Sequence, residues 1–190
     1  IIDIVAQSGG QTVEATDEKQ RARIWSGRKA AFAAMGRLAP DMICMDGTIP
    51  RHTLPQVLAE MEKLSEHYGL GFCNVFHAGD GNLHPLIIFD VMKEGEFERA
   101  EAFGADILRL CVKVGGVLSG EHGVGIEKRD LMTDMFGPTD LEQQHRVKCA
   151  FDAHGLFNPG KVFPTLSACV EQGHIHVHGA QLPHPHLPRF

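Results

Sequence analysis

The sequence predicts an α+β fold: a ferredoxin-like antiparallel sheet with helices packed on one face, followed by a C-terminal helical segment. Three observations carry this. Two stretches, Val57 to Tyr68 and Phe97 to Val114, repeat apolar residues every three or four positions and read as amphipathic helices. Two short apolar runs, Phe72 to Phe76 and Leu86 to Phe89, flank a polar, glycine-rich loop and read as a hairpin. Their order of helix, strand, strand, helix and a further strand suits a split βαβ layer with its helices on one side.

Taken from the start, IIDIVAQSGG reads as the end of an amphipathic helix stopped by Gly9-Gly10, and Gln11 to Glu14 as a short strand. Thr16-Asp17 ahead of Glu18 and Gln20 is a helix start, and the helix carries Trp25, Ala30 and Phe32 before Gly36 and Pro40 end it. Met42, Ile43 and Cys44 suit a strand before a turn at Gly47. Pro55 fits a first helical turn, Val57, Leu58, Met61, Leu64 and Tyr68 form the apolar stripe, and Gly69 supplies the stop. After the hairpin, Phe97, Ala100, Phe103, Ile107, Cys111 and Val114 mark a helix ending at Gly115-Gly116. Val117-Leu118 leads as a strand into SGEHG. Glu127 to Phe136 and Asp140 to Ala153 read as helices separated by Pro138, and NPGK at 158–161 as a turn.

With 190 residues, 43% hydrophobic and 22% charged, the chain can bury one sizeable core. The expected division is one domain over residues 1–165 and a His/Pro-rich tail, 166–190, docked on it. A net charge of -6 and the lack of any basic run exclude a nucleic-acid-binding surface. The five cysteines, Cys44, Cys73, Cys111, Cys149 and Cys169, form no CxxC pair and read as reduced, mostly buried thiols. No run approaches the roughly 18 apolar residues of a membrane span, and no signal peptide is visible, so the chain reads as cytoplasmic. Its opening residues read as the end of a helix, so the expectation is a fragment that begins inside a fold.

Chemistry concentrates in HAGDGNLH, 77–84, and SGEHG, 119–123. If residues 78–83 form the hairpin loop, His77 and His84 close its base and face each other across the strands, within reach of one ion. Glu121, between Gly120 and the His122-Gly123 pair, adds a third ligand. Two histidines and a carboxylate leave a position open, the pattern of catalytic rather than structural zinc. His122 is then the candidate base. Asp80 and Asn82 either orient the histidines or serve only as turn residues. Histidines beside strands are also ordinary packing residues, and GEHGVG has the glycine content of a phosphate loop without its Gly-Lys-Ser/Thr or GxGxxG order. In the tail, His174, His176 and His178 share one face if extended, which suits a second or adventitious metal site, with His184 and His186 close by.

The segments WSGRKAAFAAMGRLAPD, CMDGTIPRHTLP, NVFHAGDGNLHPLIIFD, GGVLSGEHGVGIEKRDLM, AFDAHGLFNPGKVFPT and HVHGAQLPHPHLPRF together resemble the C-terminal part of the FAD-linked α-hydroxy-acid oxidases, above all their glycolate-oxidising FAD subunits. The resemblance runs from about Gln20 to Phe190. It implies the substrate and metal half of a flavoenzyme that oxidises a small 2-hydroxy acid, glycolate to glyoxylate, by hydride transfer to FAD. His77, His84 and Glu121 fall on metal-ligand positions and His122 on the active-site base. Arg28 falls where relatives bind the substrate carboxylate, and Asn158 and Lys161 where the chain meets the flavin. A solvated helix arginine and ordinary turn chemistry explain these last three equally well. Leu86 stands where 2-hydroxyglutarate relatives carry a polar Asn, which fits a smaller substrate, although an apolar strand residue explains it just as well.

The same resemblance implies that FAD is bound mainly by a separate domain of the subunit, so that this part alone is inactive. It also implies a divalent metal, zinc by preference, a second flavoprotein-like subunit and an iron-sulfur subunit. Such partners would hold the chain at the periphery of the inner membrane, and a homodimer could cover an exposed sheet edge. Two other readings stay open from the residues alone. One is a metal-dependent hydrolase built on His77, His84 and Glu121 with His122 as base. The other is a non-catalytic module that binds partner subunits.

Overall fold

The computed structural model describes residues 1–164. The expected tail, 166–190, with its histidine cluster and Cys169, lies outside the described residues.

The chain opens with α1 (Ile2–Gln7), which buries none of its residues. Gln11 to Glu14 is not a strand, because no neighbouring strand pairs with its backbone, and Val13 is 86% exposed. The helix start at Thr16-Asp17 forms as the sequence implies in α2 (Glu18–Met35): the Asp17 carboxylate accepts from Gln20 N at 2.7 Å, and Gln20 Oε1 accepts from Thr16 N. Its apolar residues do not line one face, and Ile24, Trp25 and Phe32 stay largely exposed. Met35 is the one buried residue of α2.

The sheet follows. Its strands are β1 (Asp41–Cys44), β2 (Gly47–Thr48), β3 (Phe72–His77) and β4 (Asn82–Phe89), all antiparallel to their partners. β4 is central: β1 pairs along its C-terminal half, β2 along its first residues, and β3 along its other edge. Gly47, expected in a turn, is strand. Its backbone runs so close to α4 (Glu96–Lys113) that an added Cβ would meet Cys111 Sγ at 2.7 Å. The strand foreseen at Val117-Leu118 contracts to one bridge, in which Thr48 and Val117 exchange backbone hydrogen bonds of 3.1 and 2.9 Å. The spatial order is therefore Val117, β1/β2, β4, β3, the order of a split βαβ arrangement.

α3 (Leu54–Tyr68) and α4 pack on one face of this sheet. α3 has Pro55 in its first turn and ends at Gly69, in the left-handed conformation at φ 64°. Val57 and Met61 of α3 meet Phe103, Ile107 and Cys111 of α4 over Leu83, Ile87 and Phe89 of β4. Phe103 is the largest fully buried side chain, stacked on Tyr68 at 5.4 Å and edge-on to Phe72 at 5.8 Å. Since β4 alternates, Asn82, His84, Leu86 and Ile88 point to the opposite face, away from these helices.

The helix expected from Glu127 to Phe136 is two short ones, α5 (Ile126–Arg129), which buries Lys128, and α6 (Met132–Met135), separated at Asp130-Leu131. Pro138 begins α7 (Pro138–Phe151) at its first turn, where a missing N–H costs nothing. Cys44, Cys73 and Cys111 are free thiols, of which Cys111 is fully buried. Among the described residues no helix is long and apolar enough to cross a membrane.

Candidate metal centre

The two histidines reach one place by a route different from the expected one. The hairpin turn is residues 78–81, shorter than foreseen, because β4 already begins at Asn82. His77 therefore stands opposite Asn82, and His84 opposite Val75. Directly paired residues share a face, so His77 and His84 are diagonal neighbours rather than a facing pair, with ring centroids 5.5 Å apart and edge to face. Gly81 makes the tight turn possible. It sits at φ 76°, and a Cβ there would lie 2.1 Å from the Ile49 carbonyl oxygen.

Glu121 comes from the loop after the Val117 bridge and splays its carboxylate between the rings. Oε1 lies 3.3 Å from His77 Nε2, and Oε2 lies 3.7 Å from His84 Nε2. One donor atom from each of the three residues falls within 4.8 Å of the others. Ligands at about 2.0–2.2 Å from a zinc-sized ion sit roughly 3.3–3.6 Å apart in a tetrahedron, so a small inward movement closes the set. His84 is buried, with its side chain 8% exposed, whereas His77 and Glu121 are about half exposed. That leaves one open side.

Among the described residues His84 Nδ1 is buried without a hydrogen-bond partner, and Asn82 Nδ2 lies 3.4 Å from His84 Nε2, the nitrogen that faces Glu121. The His122 ring stacks on His84 at 5.3 Å and 25°, next to the three donors. The arrangement brings together three potential donor atoms with an open side and a third imidazole beside them.

The loop carrying Glu121 and His122 is held by a residue that sequence reasoning left out. Asp46, 0% exposed between β1 and β2, accepts from Ser119 Oγ at 2.8 Å, Gly120 N at 3.0 Å, Glu121 N at 3.1 Å and His122 N at 2.9 Å. Buried Lys128 donates to Asp46 Oδ2 and to its backbone oxygen, both at 3.0 Å. Burial alone would raise the Asp46 pKa. The His122 N–H, Lys128, Ser119 and the Glu121 N–H outweigh it and hold the carboxyl well below the usual range. Three consecutive loop N–H groups thus bind an internal carboxylate, which removes the phosphate-cradle reading of GEHGVG. In the sequence Asp46 is a single acidic residue directly after the apolar stretch Met42 to Met45, with nothing local to show what it binds.

The remaining candidates are not part of this cluster. Arg28 is exposed on α2 and makes no hydrogen bond or ion pair among the described residues. Asn158, at φ 46°, and Lys161 are exposed in the final turn, where Gly160 O accepts from Arg129 Nη1 at 2.9 Å. Asp80 is exposed at the hairpin tip, while Asn82 is buried against His84 and contacts Thr48 Oγ1 at 3.5 Å. Leu86, fully buried, follows His84 on the same strand face.

Comparison with known proteins matches residues 1–162 to the model of "FAD linked oxidases, C-terminal domain". The chain is 54% identical over 189 residues to the glycolate oxidase subunit GlcD of Escherichia coli (strain K12), covering 99% of this chain and 38% of that protein. It is 33% identical to GlcD of Bacillus subtilis (strain 168), over 78% of this chain and 32% of the relative. It is 32% identical to the probable mitochondrial D-lactate dehydrogenase of Danio rerio, over 90% of this chain and 35% of the relative. The chain therefore spans under two fifths of the length of each.

Proposed function

Since this chain belongs to the family of FAD-linked oxidases, C-terminal domain, we propose that it forms the substrate- and metal-binding half of an FAD-dependent 2-hydroxy-acid oxidase acting on glycolate. The observation that carries the reading is the convergence of His77, His84 and Glu121, with donor atoms within 4.8 Å of one another and the His122 ring 5.3 Å from that of His84.

In this reading a divalent ion, zinc by preference, supplies Lewis acidity to the substrate hydroxyl and FAD supplies the hydride acceptor. His77, His84 and Glu121 would hold the ion, whose Lewis acidity would favour loss of the proton from the acid's hydroxyl. A His122 ring nitrogen takes the hydroxyl proton as C2 gives up its hydride and the C–O bond becomes a carbonyl. One proton and one hydride leave, and glycolate becomes glyoxylate. Leu86, apolar and on the same strand face as His84, offers no polar partner for a second carboxylate, which supports a small substrate.

Arg28 takes part only once α2 is covered, as a bidentate partner for the substrate carboxylate. Asn158 and Lys161 touch the flavin from the exposed final turn. The flavin is held mainly by a further domain of the same subunit. A second flavoprotein-like subunit and an iron-sulfur subunit carry electrons onward at the inner membrane, and self-association covers the free edge of β3. The relatives' names support an acid of the glycolate or D-lactate size.

The test is metal analysis of the purified chain and of His84→Ala, with glycolate-dependent dye reduction measured in parallel. One equivalent of metal in the parent, none in the variant and no dye reduction by the chain alone is expected. Metal-independent turnover, or equal metal in both proteins, refutes the reading.

A further inference from the structure

We infer that Asp46 is a positioning residue for the cation site, setting Glu121 and His122 through their backbone rather than touching the ion; this rests on the metal-binding reading above. Residues 119–125 have no helix or strand to fix them, and the Glu121 and His122 side chains are exposed. Each residue of such a loop keeps two soft dihedral angles. Their placement must therefore be imposed on the main chain.

Asp46 imposes it. Its carboxylate collects the N–H groups of Gly120, Glu121 and His122 and the Ser119 hydroxyl at 2.8–3.2 Å, which fixes four successive residues against two oxygen atoms. Lys128 completes the coordination, reaching Asp46 Oδ2 at 3.0 Å and Ser119 Oγ at 3.1 Å. Asp46 is itself tied to the strand that bears His84: Met45 N donates to Pro85 O at 3.0 Å, β1 pairs along β4, and β2 resumes at Gly47 opposite Leu83. One carboxylate thus joins the loop holding Glu121 to the strand holding His84, and sets the gap between the two.

Asp46→Asn keeps the shape but turns one acceptor into a donor facing other donors. Removing such a supporting contact typically weakens metal binding about 10–100-fold. The experiment measures Zn2+ affinity of the full chain by competition with a chelator, together with the visible spectrum of bound Co2+, for the parent, Asp46→Asn and His84→Ala. Near-ultraviolet circular dichroism checks the fold. A loss of affinity in that range by Asp46→Asn, with an altered Co2+ spectrum and a native dichroism spectrum, is expected; a purely structural role leaves the Co2+ spectrum unchanged. Parental affinity and spectrum in Asp46→Asn, while His84→Ala has lost the ion, overturns the positioning role alone. Parental affinity in His84→Ala overturns the metal-binding reading. If Asp46→Asn does not fold, amide exchange in the parent decides: Gly120, Glu121 and His122 must be protected in spite of their exposed loop, and fast exchange at all three refutes the inference.

Discussion

Lys128 Nζ lies 3.0 Å from Asp46 Oδ2, in a pair whose side chains are 5% and 0% exposed. Breaking a buried pair by removing one partner is costly because the other charge is left without compensation. Lys128→Met is expected to lower stability by about 3 kcal/mol, the lower end of the usual range, because the loop N–H groups still satisfy Asp46. Urea unfolding of parent and variant measures it.

Gly120 approaches the hairpin so closely that a Cβ would meet Asn82 Oδ1 at 2.4 Å and Thr48 Oγ1 at 2.5 Å. Gly120→Ala is expected to cost about 1–3 kcal/mol, the usual range for overpacking, and to weaken Zn2+ binding as well. A thermal melt and a chelator competition on the same protein check both effects.

Tyr68 is the one tyrosine of the chain, so its ionisation can be followed by absorbance without ambiguity. Its hydroxyl donates to Asp106 Oδ2 at 2.6 Å, which, with burial, pushes its pKa up to about 12 from the ordinary 10. A pKa raised on folding means that the protonated form stabilises the fold. This contribution is complete below about pH 10 and disappears as pH rises towards 12. Tyr68→Phe should abolish that alkaline decline in a pH series of melting temperatures.

Burial pushes the Cys111 thiol up to about 12, whereas Cys73 is partly exposed on the edge strand. The thiolate is the species that reacts with alkylating agents. At neutral pH Cys73 should be modified in the folded protein and Cys111 only after denaturation. Peptide mass mapping distinguishes them.

What the sequence made legible follows the range of the interactions. α3 and α4 were readable because helical spacing is local, and Pro55 and Gly69 mark the limits of α3. The convergence of His77, His84 and Glu121 was readable from the two motifs, yet the strand register was not: a four-residue turn in place of a six-residue loop moves His84 from opposite His77 to opposite Val75. Asp46 was invisible because its partners lie 73 to 82 residues further along. Gly47 suits a turn locally, but it pairs with Leu83 of β4 and leaves no room for a Cβ beside Cys111 of α4. Arg28 is placed by resemblance alone, and among the described residues it makes no hydrogen bond or ion pair.

The alternation of β4 has a consequence for how errors in folding are filtered. Leu83, Ile87 and Phe89 face the helices, and Asn82, His84 and Leu86 face the other way. A slip of one residue against β3 would exchange the two sets, driving His84 and Asn82 into an apolar layer and Leu83 out of it. Such a chain would lose its core and the cluster of His77, His84 and Glu121 in one step. A molecule that has folded at all has therefore already put its chemistry on the correct side.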